Sequence, residues 1–284
     1  QPVMVTGADG VGTKLLLALD KPQYLMNVGV DLVAMVVNDI ICCGAKPLFF
    51  LDYFATGKLN IDQGVMFVEG IADACDFTGT ALIGGETAEL PGMYRDNEVD
   101  AAGFGVGIVD KKDIIDGHNN VKPGDVVIGI SSSGPHSNGF SLIRKVLEAN
   151  TPSEEILDQI MQPTHLYTNV IQHVMSEIKI HGLANITGGG LVENVPRVVD
   201  AFYRVVLDSS SWNRPEVFNW LQQAGNISDE EMYRVFNVGV GMVMIVDPSD
   251  ASVCNLIKEH GLDAWVIGQV EANDGRDTTS VVIC

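Results

Sequence analysis

The sequence predicts two α+β domains joined by a polar connector, and three observations carry that reading. The 284 residues exceed the roughly 100–200 residues of one ordinary domain. Short apolar runs alternate with segments of helical period along the chain, the pattern of mixed α and β structure. Residues 110–124 break this alternation with Asp-Gly, Asn-Asn and Pro-Gly pairs, which mark a loop. The expected division is an N-terminal βα domain over residues 1–112 and a C-terminal α/β domain over residues 122–284.

In the first domain, residues 3–6, 24–30, 48–55, 80–83 and 101–109 read as strands. Residues 31–43 and 61–77 read as helices. Gly44 and Gly79 end them, because glycine takes the left-handed turn after a helix at no steric cost. Beyond the connector a strand restarts at residues 125–131. Helices fit residues 140–149 and 163–178, and further strands fit 183–187, 203–207, 240–246 and 265–270. No internal repeat or low-complexity tract interrupts this order.

Composition narrows the function. A net charge of −20, from 37 acidic and 17 scattered basic residues, argues against a nucleic-acid partner, since a phosphate backbone is bound by clustered Lys and Arg. With 46% hydrophobic and 19% charged residues the chain has the makeup of a globular protein. No uninterrupted apolar run approaches the ~18–20 residues of a membrane span, so no membrane association is expected. Cys42, Cys43, Cys75, Cys254 and Cys284 show no CxxC spacing. They are expected as apolar fillers in a reduced compartment, the cytoplasm. So acidic a chain can still hold a polyphosphate if Mg²⁺ and backbone N–H groups carry the anion.

Acids interrupt segments that are otherwise apolar. The run DLVAMVVNDIICCGA carries Asp31, Asn38 and Asp39. On a helix Asp31 and Asn38 fall nearly in line two turns apart, with Asp39 about 80° around. An N-cap role accounts for Asp31 alone, but uncompensated polar groups inside a buried helix are costly. Asp52 sits between Phe50 and Phe54 in a strand, where alternation asks for an apolar residue. It either accepts backbone N–H groups at a sheet edge or is paired or metal-bound. Asp9 in ADGVGTK and Glu86 in GGETAE stand where loops are expected after strands. Such oxygen-rich sets suit Mg²⁺. Lys14 would supply a phosphate-facing cation, with Gly10 and Gly12 allowing close backbone approach. DGVGTK is not the P-loop pattern, whose first glycine is missing here.

Two glycine-rich loops open helices in the second half, SSSGPHSNG at residues 131–139 and ITGGGLVENVPR at residues 186–197. Helix starts present free N–H groups and a favourable dipole to phosphate. A tight turn explains either loop alone; two opposite a carboxylate-rich domain favour two phosphorylated ligands. His136 is the one histidine inside such a loop, a phosphate contact first and an acid–base candidate second. A dinucleotide-binding dehydrogenase is excluded, because no GxGxxG opens a βαβ unit.

In order along the chain, GADGVGTKL, DLVAMVVNDIICCGAKPLFFLDYFATGKL, LIGGETAELPGMY, SSGPHSNGFSLIRKVLE, ITGGGLVENVPR and EMYRVFNVGVGM resemble the aminoimidazole ribonucleotide synthetase family, also called phosphoribosylformylglycinamidine cyclo-ligases. The element Asp39-x4-Gly44-Ala45-x-Pro47 is shared by a wider ATP-using superfamily. Thiamine phosphate kinase, a member, is the nearest rival. The resemblance implies a homodimer whose N-terminal strands form a barrel. It also implies ATP with Mg²⁺, K⁺ being a candidate second ion, and a further glycine-rich segment ahead of Gln1.

The implied reaction converts formylglycinamidine ribonucleotide to aminoimidazole ribonucleotide, ADP and phosphate in purine biosynthesis. ATP phosphorylates the formyl oxygen, and the amidine nitrogen closes the ring as phosphate leaves. The resemblance places Asp9, Gly10, Gly12, Lys14, Asp31, Asn38, Asp39, Gly84, Gly85 and Glu86 at the nucleotide. Asp9, Asp39, Asp52 and Glu86 would hold the metal. Ser133, His136, Ser137, Asn138, Thr187, Gly188, Gly189 and Asn194 would meet the substrate, with Asp52, His136 and Lys14 catalytic.

Overall fold

Where the chain puts glycine decides how its elements stack. The computed structural model describes residues 1–273 and 281–284. Strands β1 (Pro2–Gly10), β2 (Lys46–Thr56), β3 (Ala81–Glu89) and β4 (Val99–Asp110) form one sheet in the order β1-β4-β2-β3. Only the β2–β3 pair in it is parallel. Helices α1 (Lys14–Asp20), α2 (Leu25–Cys42) and α3 (Ile61–Thr78) follow in chain order, and α2 and α3 cover one face of this sheet. On that face β4 carries Gly103, Gly105 and Gly107. A Cβ at these positions would come within 3.2 Å of Leu32, 2.6 Å of Val36 and 2.5 Å of Ile40. Missing side chains on the strand therefore admit α2 directly against it.

Residues 24–30 are not the strand expected of them; they form the approach to α2 and its first turns. An apolar run without alternation fits a buried helix as well as a strand. The crossing with α3 settles it: a Cβ on Gly29 would lie 2.1 Å from the Phe67 carbonyl, and one on Gly70 2.0 Å from that of Met26. Over Pro22–Cys42 this is the one span among the described residues with the length and mean hydropathy, 1.7, to cross a membrane. With 72% of it buried inside the protein, it reads as a core helix.

After α4 (Gly117–Asn120), strands β5 (Val126–Ser131), β6 (Gly182–Asn185), β7 (Tyr203–Leu207), β8 (Val240–Val246), β9 (Ala264–Ala272) and β10 (Val281–Ile283) build a second sheet, ordered β10-β7-β9-β5-β8-β6. Its helices are α5 (Phe140–Ala149), α6 (Glu154–Met161), α7 (Thr168–Glu177), α8 (Gly190–Asn194), α9 (Glu216–Gly225), α10 (Asp229–Val235) and α11 (Val253–Glu259). The helix expected from residue 163 starts only at Thr168, which leaves residues 163–167 irregular and free to bond to α2. The two halves share a core. One apolar cluster runs from Leu32 and Phe67 of the first domain to Phe140, Ile143 and Phe218 of the second.

Candidate active site between the domains

Three loops and the end of one helix converge where the domains meet. The turn after β1 reaches the loop before α5, for a Cβ on Gly12 would lie 4.0 Å from the Ser137 carbonyl. Gly12 holds φ +66°, in the left-handed region that favours glycine. The glycine loop before α8 reaches the same place, since a Cβ on Gly188 would lie 3.7 Å from Asn138 Oδ1. From α2, Asp39 Oδ1 accepts a 2.8 Å hydrogen bond from Asn185 Nδ2. A cavity of about 540 Å³ is lined there by Gly12, Thr13, Ser137, Asn138, Gly139 and Lys145. Ser137 Oγ and Asn138 Nδ2 are buried without a hydrogen-bond partner. Leaving such groups unsatisfied costs about 1–3 kcal/mol each, so they are groups suited to a ligand.

The acids divide. Desolvation raises the Asp9 carboxyl above the usual carboxylate range, against a hydrogen bond from Gly10 N–H. Burial raises Asp39 as well, and the charge of Asp9 adds to this while Asn185 and Arg197 oppose it. Asp39 nevertheless keeps solvent access; crowding by protein on its other sides raises it.

Asp52 is across the sheet. Paired residues put Asp9, Gly103, Asp52 and Gly85 in one row and hence on one face. Leu32 and Phe50 fill the space over Gly103, between the two carboxylates. Asp52, its carboxyl raised by burial, lies near Cys75 of α3, whose thiol is pushed up to about 12 by burial and then by the Asp52 charge. The next row is Gly10, Ala102, Tyr53 and Glu86, so Glu86 points out on the opposite, open face.

The expected four-carboxylate metal set therefore does not assemble, and no group of three metal-ligating side chains occurs among the described residues. Asp9 and Glu86 lie inside strands rather than in loops, and strand alternation sends Glu86 away.

Several other expectations are corrected by burial. Lys14 does not face a phosphate. It is fully buried, ion-paired to Asp31 Oδ2 at 2.7 Å, and it donates to the carbonyls of His136 at 2.9 Å and Gln162 at 2.7 Å. Asp31 is no N-cap, since it lies within α2, where its Oδ1 accepts from the N–H and hydroxyl of Thr164. Asn38 donates to the His165 carbonyl at 2.8 Å and accepts from Tyr167 N–H at 3.1 Å. Asp31 and Asn38 are thus domain fasteners rather than nucleotide contacts.

The His136 ring, 1% exposed, packs against His165 and Tyr167, and its Nε2 accepts from Ser133 N–H. It faces the interior rather than an anion. Ser133 donates to the Pro163 carbonyl. Asn194 donates to the carbonyls of Thr187, Gly188 and Gly190 and accepts from the Thr187 hydroxyl, so it staples the glycine loop. Asn185 and Arg197 belong to the site although sequence reasoning passed over them. Their signal was position alone, just before the glycine loop and at the end of its motif.

Models described as AIR synthase related protein, N-terminal domain and C-terminal domain, match residues 1–109 and 122–279. The chain belongs to this family. It is 50% identical over 281 residues to the phosphoribosylformylglycinamidine cyclo-ligase of Coxiella burnetii (strain RSA 331 / Henzerling II), covering 96% of this chain and 79% of that protein. The AIR synthase fold is likewise that of Hydrogenase Maturation Protein HypE in complex with ATP, at TM-score 0.74 and 18% identity, over 100% of this chain and 81% of that one. Thiamine-monophosphate kinase from Stenotrophomonas maltophilia K279a gives TM-score 0.72 at 15% identity, over 100% and 85%. At such identities the likeness concerns the fold, and it agrees with the two-domain α+β class expected from sequence. The cyclo-ligase name agrees with the expected enzyme class.

Proposed function

We propose that this chain is the ATP-dependent cyclo-ligase that converts formylglycinamidine ribonucleotide to aminoimidazole ribonucleotide, ADP and phosphate in purine biosynthesis. One observation carries the reading at the level of the site. Glycine loops from both domains meet at a cavity where Ser137 Oγ and Asn138 Nδ2 are buried and unpartnered. The ATP complex of HypE, on the same fold, supports ATP as co-substrate. Residues 1–112 take the nucleotide and residues 122–284 the substrate.

Asp9 and Asp39 fit Mg²⁺, which takes one or two carboxylates together with phosphate oxygens. Both carboxyls are raised by desolvation, and Asp39 further by Asp9, so a cation relieves them. When bound it neutralises phosphate charge. The chain's own groups bind and orient. Ser137 Oγ, Asn138 Nδ2 and the backbone of Gly188 and Gly189 hold the substrate phosphate, and Gly10 and Gly12 give the nucleotide close backbone approach. Phosphorylation of the formyl oxygen by ATP and attack by the substrate's own amidine nitrogen then need positioning more than a protein nucleophile.

The open face of the first sheet exposes Met4, Ile83, Phe104 and Ile108. A second copy covers it, closing two four-stranded sheets into a barrel, because an apolar face of this kind marks an interface. Five free cysteines are in keeping with a reduced cytoplasmic setting.

The test is ADP release. Formylglycinamidine ribonucleotide should stimulate it and thiamine phosphate should not. Stimulation by thiamine phosphate instead, or ATP binding with no stimulated release, overturns the assignment.

A further inference from the structure

We infer that Lys14 is a positioning residue for the substrate loop, acting through the main chain of His136 rather than by touching a ligand. The inference rests on the proposed cyclo-ligase reading and adds a determinant of substrate affinity to it.

Lys14 begins α1 in the first domain, yet the carbonyls it holds belong to the second. Its ammonium joins Asp31 Oδ2 at 2.7 Å, the His136 carbonyl at 2.9 Å and the Gln162 carbonyl at 2.7 Å, with the Phe140 ring centroid 5.4 Å away. Two hydrogen bonds to main-chain carbonyls and one ion pair thus hold the ammonium. Asp31 closes the clamp, its other oxygen accepting from Thr164 N–H at 2.7 Å and Thr164 Oγ1 at 2.6 Å. Lys14 and Asp31 are both fully buried.

The carbonyl so held is that of a strained residue. His136 has φ +61°, a conformation that costs a side-chain-bearing residue roughly 1–2 kcal/mol and persists only where its surroundings impose it. The next two residues, Ser137 and Asn138, line the cavity and also carry buried polar atoms without a partner. Fixing the His136–Ser137 peptide therefore fixes where these two groups aim. The same clamp ties the loop to α1 and α2 of the nucleotide-side domain, so substrate loop and domain contact are set by one buried charge.

Lys14→Met alone strands the Asp31 carboxylate in the core, where an unpaired charge is strongly destabilising. The decisive variant is Lys14→Met with Asp31→Asn, which is neutral and keeps an acceptor for Thr164 N–H. It should recover most of the lost thermal midpoint. Its KM for formylglycinamidine ribonucleotide should nevertheless stay about 10- to 100-fold above wild type, the scale of losing hydrogen bonds to a charged group. Its kcat should change less than about 3-fold and its KM for ATP should be unchanged.

Lys14→Arg keeps the charge, and it should raise the same KM, since the five donors of a guanidinium spread in a rigid planar fork and cannot converge on these acceptors from one nitrogen as the ammonium does. Wild-type substrate KM in the double variant or in Lys14→Arg overturns the proposal, as does an increase confined to ATP. If the cyclo-ligase reading itself is wrong, the wild-type chain already fails to release ADP with this substrate, so the two failures are told apart.

Discussion

A carboxylate or imidazole in a hydrophobic segment announces that something is paired with it, but not what. Asp31 and Asn38 stand out in the run of α2, and their partners are Lys14, Thr164, His165 and Tyr167 rather than a nucleotide. Asp39, one residue further on, turns toward Asn185.

His136 is the sharpest case, because its ring is held neutral. Burial pushes its pKa well below the ordinary value, and the charges of His165 and Lys14 push it the same way. A histidine whose folded pKa is depressed contributes stability fully at pH above its unfolded value, ~6.5. That stability declines as pH falls below it, by about 1.4 kcal/mol per pH unit for one proton. Urea unfolding at pH 7.5, 6.5 and 5.5 should show this decline, and His136→Gln should remove about one proton's worth of the slope. An unchanged slope would place the titration elsewhere, for instance at His165, which burial also lowers.

At the scale of elements, α2 is the organising piece. It packs on the glycine stripe of β4, crosses α3 at Gly29 and Gly70, and hands its polar edge to the second domain. Apolar content is legible in the sequence, yet a run such as residues 24–30 carries nothing that separates strand from buried helix until its neighbours are in place. Gly29→Ala tests the crossing. The gain in helix propensity, up to about 1 kcal/mol, is outweighed by a Cβ 2.1 Å from the Phe67 carbonyl. The expected net loss is about 1–3 kcal/mol by chemical denaturation, with helical content retained at low denaturant.

At the scale of the molecule, the domains share one apolar cluster across their boundary, so the cavity between them is framed by packed walls. The open sheet face is the other large-scale feature. Phe104, 45% exposed, sits near its centre, paired with Leu51 on β2 and Ala8 on β1. Sedimentation should find the wild-type chain dimeric and Phe104→Asp monomeric with an unchanged circular dichroism spectrum. A monomeric wild type would dismiss the proposed barrel.

The sequence by itself determined the fold class, the glycine loops and the family, because these are written in local order: period, turn residues and motif spacing. It also marked Ser137, Asn138 and Gly188, which the structure brings close together, and Asp39, which bonds to Asn185 just before the glycine loop. Only the tertiary structure decided which acids stay apart, since strand alternation and the register of four strands send Glu86 outward and leave Asp52 on the far side of Leu32 and Phe50. It also decided that Lys14 is enclosed. Two of its partners, His136 and Gln162, stand more than a hundred positions away, and no local pattern encodes that distance.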